Sequence, residues 1–168
     1  MKSQSRFLSK NLLTQSKNLT AKSLTKLVEK AVKQTLAQLK LGRKLSRKEV
    51  SILICDDKFI QNINAQTRKK NNPTNVLSFP FMEFNEGKFI SEDEYSNIFG
   101  EIILSFEKCA EEAFEQGKSV EDHITHLIIH SVLHLLGFDH ELEKQAKKME
   151  NLEIKILKER FSIANPYA

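Results

Sequence analysis

The sequence predicts an α/β domain of the α+β kind, with short strands packed against several helices and a metal site at the end of a core helix. Three observations predict it. A length of 168 residues suits one domain, and 40% hydrophobic with 29% charged residues suits a globular chain with a real core. Stripes of apolar residues at helical spacing alternate with short β-branched runs. Finally, the longest apolar stretch, around residues 127–136, is interrupted by His130 and His134 and runs into Gly137-Phe138-Asp139-His140. That stretch is too short to span a membrane. No repeat or second boundary divides the chain, so residues 1–168 read as a single domain, with 1–22 as a basic N-terminal extension.

Taken in order, residues 1–18 show no clear period, and a short strand near residues 6–13 is compatible with them. Leu24, Leu27, Val28, Ala31, Val32, Leu36 and Leu39 form a helical stripe over 23–39. Gly42 and the basic residues Arg43, Lys44, Arg47 and Lys48 mark a loop. The run 50–55 reads as a buried strand, and Asp56-Asp57 as the N-cap signal of a helix carrying Phe59, Ile60 and Ile63. Residues 68–73 form a polar, basic loop. The run 76–81 is a strand in which Pro80 argues for an edge or an end. Residues 83–97 are polar and acidic, as expected of a surface hairpin or loop. Residues 98–104 are another strand, where Gly100 permits a bulge or a close approach. A helix over 106–116 closes at Gly117. The helix bearing the histidines starts at Ser119 or Glu121 and runs to Leu136. An amphipathic helix over 141–160 ends the pattern, with Met149, Leu152, Ile156 and Leu157 on one stripe.

The net charge of +4 hides an asymmetry. Residues 1–48 carry 13 Lys/Arg and one acid, whereas 49–168 carry 13 Lys/Arg and 21 acids. A basic N-terminal third is an electrostatic footprint for nucleic acid or another polyanion, or else a solvated arm. Residues 1–28 share the acid-free, Ser/Thr-rich composition of organelle transit peptides, but Lys dominates over Arg, which argues against that reading. The N-terminus lacks the continuous apolar core of a secretory signal. Two cysteines, Cys55 and Cys109, do not make a disulfide framework and fit a reducing, cytoplasmic setting as small buried residues.

The histidines carry the chemistry. A spacing of four puts His130 and His134 on one helix face, one turn apart. Gly137 lets the helix end and the chain turn back, bringing His140 to a third corner. Three neutral imidazoles with one open position suit one zinc ion that does chemistry. The spacing H-x-x-x-H-x-x-G-x-x-H is the metzincin pattern with one change: Ser131, a poor base, stands where those proteases carry the general-base Glu. Arg68 is the best candidate for a phosphate clamp, because a guanidinium binds phosphate in bidentate fashion, or else it is a surface charge in a basic loop. His126, one turn before His130, reads as a supporting group, a substrate contact or an alternative ligand. Asp139 either orients an imidazole or caps the last helix. Met149 reads as core, Ser78 as a bond to substrate or to backbone, and His123 as exposed and uninvolved.

Three segments also carry a family resemblance. They are Ile63-Asn64, Arg68 and Pro73-Thr74-Asn75-Val76-Leu77-Ser78-Phe79-Pro80; Gly100-Glu101-Ile102; and His126-Leu127, His130, His134-Leu135, Gly137-Phe138-Asp139-His140, Met149-Glu150 and Asn165-Pro166-Tyr167. From about residue 50 onward the chain resembles the YbeY endoribonuclease family, also called the rRNA maturation factor family. It departs from the usual family pattern at Asn75 and Glu101, where Asp is usual, and at Ser131, where Gly is usual. The resemblance implies a zincin-like fold, a small mixed sheet packed against several helices, with 50–168 as a metal-dependent ribonuclease core. It implies one zinc on His130, His134 and His140, with Arg68 and His130 as catalytic residues. The implied activity is cleavage of single-stranded RNA in 3′-end maturation of small-subunit ribosomal RNA and in ribosome quality control. The implied partners are the small ribosomal subunit and its assembly factors, with no membrane.

Two other function classes are compatible with the residues: a metal hydrolase acting on a peptide or amide, and a ribosome-biogenesis binding factor whose metal is structural. Zinc would polarise a phosphoryl oxygen or lower the pKa of a bound water to about 7. The general base is left open among metal-bound water, the 2′-hydroxyl of the substrate and a water held by His126. No aromatic pattern forms an RNA-stacking sheet platform. Binding would then rest on a positive groove, with Lys69, Lys70 and the N-terminal region as candidates, and would weaken with salt.

Overall fold

Four of the helices begin where a short polar side chain accepts one of the free amides of the first turn. The computed structural model describes residues 6–7, 19–45, 47–91 and 97–167. Thr20 and Ser23 form a reciprocal capping box at α1 (Ala21–Gln38). Asp56 accepts the Phe59 amide at 2.8 Å at the start of α2 (Asp57–Arg68). Ser105 caps α3 (Phe106–Glu115) and Ser119 caps α4 (Val120–Leu135). The last helix, α5 (Glu143–Ile156), starts after Leu142 without a side-chain cap and passes into a π-helical turn at Leu157–Phe161. The uniform helix expected over 141–160 is therefore shorter at its start and loosens at its end. Asp139 is not its cap. Its carboxylate accepts the His140 amide at 2.7 Å, three residues too early to reach the first turn.

The strands are β1 (Arg6–Phe7), β2 (Glu49–Cys55), β3 (Val76–Pro80), β4 (Glu83–Asn85), β5 (Lys88–Ser91) and β6 (Ile98–Ser105). A mixed four-stranded sheet has the order β1-β2-β6-β3; β1, β2 and β6 are parallel and β3 is antiparallel to β6. Of the strand expected over 6–13, Arg6–Phe7 pairs with Leu53 and Ile54, and the rest lies outside the described residues. Pro80 ends the edge strand β3, where no ladder partner needs its missing amide. Gly100 satisfies both expectations made for it. The register shifts opposite it, between Glu49 and Val50, and a Cβ there would lie 2.6 Å from Leu135 Cδ2. The lack of a side chain lets α4 settle onto the sheet.

Helix α4 is the centre of the core. Ile124, Ile128, Ile129, Val132 and Leu133 are fully enclosed, packed among α1, the sheet and α3. From residue 123 to 136, His126, His130 and His134 alone are partly open, each one turn from the next. The helix ends in a Schellman turn: the Gly137 amide bonds the His134 carbonyl at 3.0 Å and the Phe138 amide bonds Leu133 at 3.1 Å, with Gly137 at φ +77°. The β4–β5 hairpin then docks on this turn. The Gly87 amide donates to Leu136 at 2.8 Å and the Glu86 amide to Gly137 at 3.3 Å. What reads in the sequence as a surface hairpin or loop thus also covers carbonyls at the end of the histidine-bearing helix.

A Cβ on Gly137 would lie 2.1 Å from the Phe84 carbonyl oxygen, whereas one on Gly117, also at positive φ, would meet nothing within 4 Å. Gly117→Ala is expected to lose about 1 kcal/mol from backbone strain alone, and Gly137→Ala at least about 2 kcal/mol more because the hairpin must lift. Urea unfolding of the two variants beside the parent chain measures both. Equal losses would remove the hairpin contact from this account.

Candidate metal centre

The turn after α4 brings the three predicted imidazoles together. The ligand atoms of His130, His134 and His140 all lie within 4.8 Å of one another. His130 and His134 face each other through Nε2 at 3.1 Å. Their opposite nitrogens settle which atoms hold the protons. His134 Nδ1 lies 3.0 Å from the Phe138 carbonyl, and His130 Nδ1 lies 2.8 Å from Glu153 Oε1. A carbonyl and a carboxylate accept only, so each Nδ1 carries its hydrogen and each Nε2 presents a lone pair. Two lone pairs this close repel unless a cation lies between them. Tetrahedral zinc with Zn–N near 2.05 Å would separate two ligand nitrogens by about 3.4 Å, close to the spacing found. The donor set thus fits a divalent ion of the zinc type. His140, the exposed member, has its ring 4.9 Å from that of His134. Burial first, and then the neighbouring His130 and His140, lower the pKa of His134 to about 4, which keeps its lone pair available at neutral pH.

Glu153 holds this arrangement from behind. It lies on α5 and is fully buried at 0% exposure. Oε1 accepts from His130, Oε2 accepts from His126 at 3.0 Å, and the Tyr167 hydroxyl also donates to Oε2. Burial alone would raise its pKa, but the bonds from His126 and His130, the charge of His130 and the bond from Tyr167 together hold it near 2. The residue is therefore a carboxylate at every physiological pH. The Tyr167 hydroxyl moves the opposite way, raised by burial and then by its bond to Glu153. This pairing makes His126 a neighbour of the ligand's partner. His126 is not in the cluster that converges on one point.

Sequence reasoning missed Glu153. A signal existed: it falls at the +4 position of the buried stripe Met149, Ile156, Leu157, where an apolar residue belongs. His123, expected to be exposed and uninvolved, is buried at 4% exposure and its Nε2 lies 2.9 Å from Glu112 Oε2. It turns from the cleft toward α3 because α4 is enclosed on every side except the cleft stripe. Glu112 also accepts from Asn75 Nδ2 at 2.9 Å, so the amide found where the family usually has Asp is a donor in use. Ser131 is enclosed with its hydroxyl unpaired, so it presents no group to the cleft at all. Met149 is core. Asp139 lines the cleft, but the Phe138 carbonyl is what holds His134.

A cleft of about 730 Å³ joins these groups to Arg68, Ser78 and Tyr167. Arg68 is the last residue of α2, and the loop beyond it is tied back by Asn64 Nδ2 to the Asn72 carbonyl at 2.8 Å and by Gln61 to Asn71. No carboxylate pairs with Arg68 among the described residues. Lys69 and Lys70 are exposed next to it in sequence but are not part of the cleft wall. Residues 1–5 and 8–18, with Lys2, Lys10 and Lys17, lie outside the described residues.

Two outcomes follow. Glu153→Gln is expected to weaken zinc binding about 10- to 100-fold, because one His N–H then meets an amide N–H instead of a carboxylate; competition against a chromophoric chelator measures it. In metal-free protein, His134 takes up a proton in the unfolded chain near pH 6.5 but in the folded chain only near 4. The unfolded state therefore binds more protons between these values, and stability falls as pH drops from about 6.5 to 4. Below about 4.5 the contribution of Glu153 begins to be lost as well, down to its folded value near 2. Urea midpoints from pH 7 to 4, with His134→Gln flattening the slope, test the sign.

Comparisons with known proteins point to one family. A family model described as Endoribonuclease YbeY matches residues 11–160. The protein named Endoribonuclease YbeY from Bartonella quintana (strain Toulouse) is 45% identical over 147 residues, covering 88% of each chain. Its namesake from Novosphingobium aromaticivorans is 47% identical over 121 residues, 71% of this chain and 72% of that one. The solution structure of a Thermotoga maritima protein superposes with a TM-score of 0.56 at 27% identity, over 82% of this chain and 83% of that one. The mixed sheet, the five helices and the histidine cluster at a helix end fit the zincin-like fold expected, and the chain belongs to the YbeY endoribonuclease family.

Proposed function

We propose that this protein is a zinc-dependent endoribonuclease that cuts single-stranded RNA in 3′-end maturation of small-subunit ribosomal RNA and in ribosome quality control. The observation that carries the reading is the placement of the unpaired Arg68 guanidinium in the same cleft as the three imidazoles. A guanidinium without a carboxylate partner is free to hold a phosphate through two parallel N–H bonds. His130, His134 and His140 would hold one zinc ion. When bound, the ion supplies Lewis-acid polarisation of an oxygen and a water of lowered pKa. Arg68 meets the charge on the phosphate, Glu153 keeps His130 oriented, and the buried position of Ser131 leaves no base where a metzincin protease needs one.

In this reading residues 1–168 act as one domain in the cytoplasm, with 50–168 as the catalytic core and 1–22 as a basic extension. The small ribosomal subunit and its assembly factors are the partners. The exposed Lys69 and Lys70 and the N-terminal basic residues would hold RNA through its phosphates, so binding weakens with salt.

The test is cleavage of single-stranded RNA by purified protein of measured zinc content. Arg68→Ala is expected to cut about 10²- to 10³-fold more slowly with its zinc retained, and Arg68→Lys to recover part of the loss. His134→Ala is expected to lose both zinc and cleavage. Undiminished cutting by both alanine variants would refute the reading, as would a chelator that unfolds the protein outright, since that marks a structural ion.

A further inference from the structure

We propose that Tyr167 is a nucleobase-stacking residue of the cleft, presenting the face of its ring to an unpaired base of the RNA. The inference rests on the ribonuclease reading above. Among the described residues, the exposed large hydrophobic side chains are Phe81, Phe89, Ile90, Phe114, Leu142 and Tyr167, and of these Tyr167 alone lines the cleft that holds Arg68 and the imidazoles. Tyr167 is 48% exposed, and its hydroxyl is already engaged, donating to Glu153 and lying 3.3 Å from His126 Nε2. With the hydroxyl engaged, ring carbon is what the side chain has left to offer the cleft it lines.

The ring is also held before any ligand arrives. It stands edge-on to His126, with centroids 5.5 Å apart and planes at 88°. Its backbone amide donates to Asn165 Oδ1 at 3.0 Å, and Lys118 Nζ fixes the adjoining Pro166 carbonyl at 2.7 Å. An aromatic face immobilised in this way binds a base without ordering a side chain first. Every base offers a π-face, so the contact tolerates sequence. It requires an unstacked base, which single strands and loops supply and duplexes do not. The alternative is that Tyr167 serves only as a hydrogen-bond donor to Glu153. In that case the hydroxyl would matter and the ring would not.

The two are separated with the full chain in its zinc-bound form and a short single-stranded RNA bearing 2′-O-methyl sugars, which reports binding by fluorescence anisotropy. A series of the same oligonucleotide carries one abasic site, moved position by position. Tyr167→Leu is expected to bind about 5- to 100-fold more weakly than the parent, and Tyr167→Phe to bind close to it. At one position the abasic site weakens the parent and Tyr167→Phe alike but leaves Tyr167→Leu unchanged. Tyr167→Trp, which retains a ring, gives the same position dependence and keeps the test open should the leucine variant not fold. Equal binding by leucine and phenylalanine variants, or no position that couples to the ring, overturns the stacking role while the ribonuclease reading stands. No binding by the parent chain, together with no cutting of unmodified RNA, overturns both.

Discussion

A buried carboxylate with three donors around it is the constraint on which the site depends. Glu153 is shut off from bulk solvent, so its charge is stabilised chiefly by the hydrogens that His126 and His130 point at it, with the Tyr167 hydroxyl adding a third. Each of those bonds fixes something outside the network. The bond from His130 sets the tautomer that leaves Nε2 unprotonated. The bond from His126 commits that ring to supporting the site instead of joining the imidazole cluster. The bond from Tyr167 pins an exposed ring at the edge of the cleft. Remove the carboxylate and three side chains lose their orientation together, although two of them lie on α4 and one follows the π-helical turn.

The fold provides a place where this is possible. A helix buried nearly all round has few positions at which polar side chains can reach solvent, and on α4 beyond its first turn these collapse to one stripe at four-residue spacing. The sheet supports it from one side, with Gly100 giving Leu135 room, and α1 and α3 enclose the others. His140 lies beyond the helix, so its position depends on the turn at Gly137. That turn is held by its own Schellman bonds and by the hairpin that covers its carbonyls. The imidazole cluster is thus positioned by rigid elements at two of its corners and by a braced turn at the third.

The elements were legible where a local signal coincided with burial. Asp56 and Ser119 each stood at an expected helix start and each became a cap, whereas Thr20 and Ser105, which also became caps, drew no reading of their own. The histidine spacing around Gly137 showed which rings would meet, because an i,i+4 pair and a glycine turn are local geometry. Glu153 was not legible in that way. Its partners are 23 and 27 residues distant, and its meaning depends on α5 crossing α4 at that height. His123 failed for a related reason. A polar residue near a helix start reads as solvent-facing, and only the packing of α3 against α4 gives it Glu112 as a partner. The docking of the hairpin likewise lies in tertiary contact and not in residues 83–91 themselves.

The same geometry sets the electrostatics that an RNA strand meets. Asp139 and Glu141 line the cleft, Glu153 sits ionised behind it, and among the described lining residues Arg68 is the one guanidinium or ammonium. Without a cation, such a cleft is a poor host for a polyanion, whatever the charge of the chain as a whole. A divalent ion among the imidazoles would be the largest local charge and would reverse that balance at the point where Arg68 is open. Attraction between a basic segment and a polyanion acts over about a Debye length and is not directional. Placement requires short, directional bonds, and the proposed role of Arg68 rests on its offering them from a fixed helix end with a tied-back loop.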